Sequence, residues 1–214
     1  MLAIIIGVLS LNIAEKATAA PITLVALGDS LVHGYGLVPE QGFVAQMQTA
    51  LATRGYEAKV INAGVSGDTT AGGAARAAWT MTDDVQALIL ALGGNDVLRG
   101  LAPSEARQNL QSILTVAQAK NIPVLLVGIS APFNYGEEYK QEFEAIYPDL
   151  SQEFGTVLYP NFLQALTDMP DRTAMMQKYM QADALHPNAD GVALIVKDME
   201  PFVVQLIEQV EKQP

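Results

Sequence analysis

From residue 22 onward, short and nearly continuous apolar runs of strand length alternate with longer stretches whose apolar positions recur at helical spacing. The runs are ITLVAL (22–27), KVINA (59–63), ALILAL (87–92), VLLVGI (124–129) and TVLYP (156–160). Helical spacing covers 40–54, 71–82, 104–120 and 137–154, and a last amphipathic helix is expected over 188–210. Ser104, just after Pro103, is placed to cap the third of these helices, and Gly55 and Gly155 to stop two others. Strands alternating with helices predict an α/β domain on a parallel sheet of at least five strands. Runs that are apolar throughout, rather than at every second residue, fit a sheet covered on both faces. Ligands of such sheets lie beyond the carboxyl ends of the strands, near the point where strand order reverses, so the residues following each strand come under scrutiny.

Composition narrows the chemistry. The 214 residues are 50% apolar and 16% charged, enough for one domain with a sizeable core and unlike disordered, collagenous or coiled-coil chains. Twelve Lys and Arg against 23 Asp and Glu give a net charge of -11, which repels nucleic acid and anionic bilayers and favours neutral or cationic partners. No cysteine is present, so disulfides, a thiolate nucleophile and a cysteine metal site are excluded. Two histidines leave little for an imidazole metal centre, and no metal is expected. What remains is an oxygen nucleophile, carboxylates and a lone histidine.

The first residues read as an export signal. LAIIIGVLSLNI (2–13) has the length of a signal h-region rather than of a spanning helix, and Ala17-Thr18-Ala19 follows as a small-x-small cleavage pattern. No Lys or Arg precedes the apolar run, a departure from the usual basic start. The expectation is a signal peptide over 1–19 and one domain over 20–214, periplasmic or secreted, with no stable membrane anchor after cleavage. A buried N-terminal helix or strand is the alternative.

Three loops after strands carry polar groups on one rim. Gly28-Asp29-Ser30-Leu31 follows the first strand and sets a serine hydroxyl on a sharp turn, which Gly28 permits. Alone, this string reads more often as a turn in which Asp29 or Ser30 caps a helix than as a nucleophile. Gly64-Val65-Ser66-Gly67-Asp68 and Gly93-Gly94-Asn95-Asp96 follow the second and third strands. The Gly67 N–H and the Asn95 amide could donate to an oxyanion, although such loops also serve turn geometry or cradle phosphates. No P-loop ending and no spaced dinucleotide glycines are present, which makes nucleotide binding a minor alternative. Asp183-Ala184-Leu185-His186-Pro187-Asn188 stands before the last helix. A carboxylate three residues before a histidine can hold Nδ1–H and leave Nε2 free to take a serine proton. His33 lies so near Ser30 in sequence that it reads as a loop residue rather than the base.

Taken together, GDSL (28–31), Gly67 in NAGVSGDT, GGND (93–96) and DALHPN (183–188) resemble the SGNH (GDSL) hydrolase superfamily. Further agreement at NDVLRG (95–100), FNYGEEY (133–139) and FEAIYPDL (143–150) makes the chain similar to the bacterial thioesterase I, arylesterase and lysophospholipase group. The resemblance implies a flavodoxin-like three-layer α/β/α sandwich with a central five-stranded parallel sheet. It implies Ser30 as nucleophile, His186 as general base and acid, and Asp183 as orienting carboxylate. The Ser30 N–H, the Gly67 N–H and the Asn95 side chain would form the oxyanion hole. It assigns no role to His33. The expected reaction is ester hydrolysis through an acyl-serine, without metal or organic cofactor, on small-molecule aryl and alkyl esters, thioesters and lysophospholipids. Leu31, Val97, Leu98, Phe133, Tyr135 and Leu185 are candidates for an acyl groove, and a monomer is favoured. A carbohydrate O-deacetylase, a non-catalytic lipid-binding module of the same fold and a flavodoxin-type binder are the competing readings.

Overall fold

The structure is a computed structural model that describes residues 21–213, so the expected signal segment (1–19) lies outside the described residues. Five strands, β1 (Ile22–Gly28), β2 (Ala58–Gly64), β3 (Ala87–Ala91), β4 (Val124–Val127) and β5 (Val157–Tyr159), pair in parallel in the order β2-β1-β3-β4-β5. The helices are α1 (Ser30–His33), α2 (Phe43–Thr53), α3 (Thr70–Thr80), α4 (Gly94–Leu98), α5 (Pro103–Ala119), α6 (Glu137–Phe154), α7 (Gln164–Thr167), α8 (Arg172–Tyr179) and α9 (Ala189–Glu211).

The pleat sends alternate residues of each strand to opposite cores, which is why the runs are apolar without a break. Leu24, Ala26, Ile89, Leu125 and Val127 face α2 and α9, whereas Val25, Leu27, Leu88, Leu90 and Leu126 face α3, α5 and α6. The result is the flavodoxin-like three-layer sandwich expected from the sequence. In α9 the buried positions Val192, Ile195, Val196, Met199, Val203, Leu206 and Ile207 form one stripe at helical spacing. β1 lies between β2 and β3, so the connections leave β1 toward one edge and return past it toward the other. The crevice at that reversal, between the carboxyl ends of β1 and β3, is where this fold binds ligands.

Several local expectations need correction. Ser104 does not cap its helix: Ala102 occupies the cap position with extended backbone and Pro103 begins the helix, its fixed φ suiting the first turn. The fourth run stops being strand at Val127, and α2 starts only at Phe43, after a 3-10 turn over Pro39–Gln41. His33 is not in a loop but ends α1. Asn188 is not a residue of the last helix but its cap, accepting from the Gly191 N–H at 3.0 Å. Gly155 does stop α6, in the left-handed region that Gly tolerates.

Candidate active site

Ser30 is the first residue of α1, immediately beyond β1. The turn before it is tight: a Cβ on Gly28 would sit 2.2 Å from a Val32 methyl and 2.8 Å from the Ala91 carbonyl, so only glycine fits there. Asp29 caps α1 by accepting from the Leu31 N–H at 3.0 Å. It is 2% exposed, and that burial raises its carboxyl to about 6, against the lowering effect of the Leu31 N–H, the His186 charge and the Asn95 amide.

The Ser30 hydroxyl lies 2.8 Å from His186 Nε2, and His186 Nδ1 lies 2.7 Å from Asp183 Oδ2. The 183–186 segment is a compact turn in which Asp183 Oδ1 accepts from the main-chain N–H of both Leu185 and His186, each at 3.0 Å. Ala184 takes a left-handed φ of +57° at its bend, a strained conformation for a residue with a Cβ. These hydrogen bonds, led by the His186 N–H and its ring and followed by the Leu185 N–H, hold the Asp183 carboxyl down to about 2. An ionised carboxylate can only accept, so the proton of the neutral imidazole sits on Nδ1 and the Nε2 lone pair faces the serine. Below this turn the chain is pinned by an antiparallel bridge between Met180 and Pro187 and by the Asn188 amide donating to the Lys178 carbonyl at 2.8 Å.

Asn95 is in the first turn of α4, beyond β3, and its amide nitrogen donates to Asp29 Oδ2 at 3.4 Å. Its neighbour Asp96 is buried and accepts from the Thr70 N–H (2.9 Å) and hydroxyl (2.6 Å), which ties α4 to the start of α3. Gly67 lies exposed on the turn beyond β2 with φ +84°, its carbonyl accepting from the Arg99 guanidinium at 2.9 Å. The rim of this side is bolted by Arg76, which is buried. It donates to Asp68 (2.8 Å), to the Ala63 carbonyl (2.7 Å) and to the Gly28 carbonyl (2.9 Å), so one side chain joins the ends of β1 and β2.

Ser30, Asn95 and His186 open onto a cleft of about 280 Å³. Of the groove candidates, Leu31, Val97, Leu98 and Leu185 line it. Phe133 and Tyr135 do not; they sit in a 3-10 turn beside it, where Phe133 lies under the Lys140 ammonium and Tyr135 leans on Tyr139. Ile129, Ser130, Pro132, Asn161, Leu163 and Thr167 complete the wall and were missed in the sequence. A signal for them exists: 129–132 follow β4 and Asn161 follows β5, the same positions that pointed to Ser30 and Asn95. His33 is exposed and is not part of the lining. Among the described residues no three His, Asp or Glu side chains are grouped as metal ligands, and no helix is long and apolar enough to cross a membrane.

Such an arrangement is suited to acyl transfer: a hydroxyl on an acceptor imidazole, the imidazole on a fixed carboxylate, an amide donor beside them and an apolar cleft in front. The profile of the GDSL-like Lipase/Acylhydrolase family matches residues 26–194. The chain is 38% identical over 202 residues to the Esterase TesA of Pseudomonas aeruginosa, covering 94% of this chain and 96% of that one. It is 36% identical over 190 residues to the Thioesterase 1/protease 1/lysophospholipase L1 of Escherichia coli (strain K12), covering 86% of each. Among solved structures, that of AlinE4, a SGNH-hydrolase family esterase, superposes with a TM-score of 0.71 at 43% identity over 88% of this chain and 98% of that one. The chain belongs to the GDSL-like lipase/acylhydrolase family, the SGNH hydrolases, and is a hydrolase of ester bonds.

Proposed function

We propose that the protein cleaves carboxylic esters through an acyl-serine intermediate on Ser30, with His186 as general base and acid and Asp183 as its orienting carboxylate. His186 Nε2 takes the Ser30 proton as Oγ attacks the ester carbonyl. The same proton is returned to the leaving alcohol or thiol, and water then repeats the sequence against the acyl-enzyme to release the acid and free Ser30. The main-chain N–H groups of Ser30 and Gly67 and the second amide hydrogen of Asn95 receive the charge that develops on the carbonyl oxygen. The observation that carries this reading is the pair of successive contacts from Ser30 Oγ to His186 and from His186 to Asp183, at 2.8 and 2.7 Å, at the mouth of a mostly apolar cleft.

The apolar lining favours aryl and alkyl esters, and the same chemistry extends to thioesters and lysophospholipids. The excess of negative charge sets neutral esters ahead of polyanionic coenzyme A thioesters. The enzyme is exported under this reading, residues 1–19 being removed, which N-terminal sequencing of the mature protein would check. The test of the activity is hydrolysis of nitrophenyl esters from acetate to palmitate, with Ser30→Ala in parallel. Activity that vanishes in the variant supports the reading and the chain-length profile sizes the cleft. A folded protein inert toward every ester and toward a fluorophosphonate probe would overturn it in favour of a binding module.

A further inference from the structure

The Tyr35 ring faces the His186 ring with centroids 4.7 Å apart and planes tilted by 36°. This tyrosine is 51% exposed, and among the described residues its hydroxyl has no hydrogen-bond partner. A half-exposed aromatic held by nothing would turn freely, but its main chain is anchored at both ends. The Tyr35 N–H donates to the Ser30 carbonyl at 3.1 Å, and the Tyr35 carbonyl accepts from the Gln181 amide at 2.8 Å. Gln181 belongs to the segment that carries the base: its main-chain N–H donates to the His186 carbonyl at 2.8 Å, and its amide also reaches the Pro187 carbonyl at 3.0 Å. Residue 36 must be glycine for this to happen, since it has φ +75° and a Cβ there would stand 2.1 Å from Gln181 Oε1.

We propose that Tyr35 is a positioning residue for His186, and that Gln181 is the latch that keeps it against the imidazole. The inference rests on His186 being the base. Asp183 holds the imidazole at Nδ1 and Ser30 Oγ meets it at Nε2, which fixes the ring along that line but leaves it able to tilt about it; the Tyr35 face closes one side of the tilt. When His186 takes the serine proton it becomes a cation, and an aromatic face within about 6 Å attracts a cation. Tyr35 therefore acts when the imidazolium is present, in the transition state, more than when neutral imidazole and substrate are merely bound. The hydroxyl has no part in this, and phenylalanine should serve as well as tyrosine.

The experiment is a set of variants, Tyr35→Phe, Tyr35→Leu, Gln181→Ala and the Tyr35→Leu/Gln181→Ala pair, read by kcat and KM on a short nitrophenyl ester, by Tm, and by the NMR shift of the His186 Hε1 proton. Tyr35→Leu and Gln181→Ala should each lower kcat about two- to fivefold with KM unchanged, the lower part of the range a cation over an aromatic face supplies. Tyr35→Phe should keep wild-type kcat. The double variant should fall no further than the worse single one, because the latch acts only through the ring. The ring-current displacement of His186 Hε1 should persist in Tyr35→Phe, vanish in Tyr35→Leu and shrink in Gln181→Ala. A change confined to KM, a loss in Tyr35→Phe equal to that in Tyr35→Leu, additive losses, or a His186 signal indifferent to Tyr35 would each overturn the proposal. Those results would leave ester hydrolysis by wild type standing, whereas a wild type without activity, matched by Ser30→Ala, would remove the catalytic reading itself.

Discussion

The amide nitrogen of Asn95 points at the carboxylate of Asp29, 3.4 Å away, across the gap between the carboxyl ends of β3 and β1. Above about pH 6 the Asp29 carboxylate is ionised, accepts and does not donate, so it orders the Asn95 amide with nitrogen inward, and one N–H is left for the cleft. Replacement of Asn95 by alanine should lower kcat by about a hundred- to a thousandfold while KM for a nitrophenyl ester changes little, the usual loss of one oxyanion donor. Steady-state kinetics decide it; a loss in KM alone would place Asn95 in substrate binding.

Asp29 should leave a mark on stability against pH. Burial raises its carboxyl from 3.8 to about 6, so the folded state holds a proton more firmly than the unfolded chain. The favourable contribution is fully present below about pH 4 and is lost as pH rises to about 6. Asp29→Asn keeps a capping side chain without the charge. Its stability relative to wild type should therefore climb by up to about 3 kcal/mol across that window and stay level above it. Urea denaturation of both proteins at pH 4, 5, 6 and 7 reads the difference, and a constant offset would refute it.

Asp183 behaves in the opposite sense. Its carboxyl is depressed to about 2 by the N–H groups of His186 and Leu185, so it stays ionised on mild acidification, and its stabilising effect is lost only as pH falls below 3.8 through about 2. Loss of activity on mild acidification must then arise elsewhere than at Asp183. Asp183→Asn should lower kcat by roughly 10⁴, since an amide can hold the imidazole in the wrong tautomer. A variant retaining a tenth or more of the wild-type turnover would show that the carboxylate only shapes the loop.

Arg76→Ala should be the most destabilising change outside the apolar core. It strands the partly buried Asp68 and two strand-end carbonyls, Gly28 and Ala63, which warrants a loss of about 3 kcal/mol. Arg76→Lys cannot reproduce three directed donors and should recover less than half of it. Chemical denaturation measures both.

A polyanionic thioester should be served better as salt rises. The -11 charge acts over a Debye length of about 30 Å at 0.01 M and about 8 Å at 0.15 M. Accordingly kcat/KM for palmitoyl-CoA should increase several-fold between these conditions while that for a neutral nitrophenyl ester stays flat. Equal responses would show that no long-range field is felt at the cleft.

The five strands were legible because a sheet buried on both faces writes unbroken apolar runs, and each strand end pointed to a place for chemistry. The ends of β4 and β5 obey the same rule, and Ser130 and Asn161, which follow them, line the cleft. The four-residue helices α1 and α7 span too few residues to show a period. Arg76 looked like any polar position of a helix, since its partners Asp68, Ala63 and Gly28 come from three separate segments. The contact of Gln181 with Tyr35 joins residues 146 positions apart, and no local pattern encodes it.

Ser30 and His186 are separated by 156 positions, one at the end of the first strand and the other just before the last helix. Under the proposed roles, a polypeptide emerging from the ribosome carries its nucleophile and its oxyanion donors long before its base. α9 packs against α2 and the sheet, so the segment that delivers His186 docks only when the C-terminal stretch has been made. Hydrolytic power is therefore the final property the chain acquires during its synthesis. Under the same roles, a product truncated anywhere before residue 186 should leave the esters around it intact.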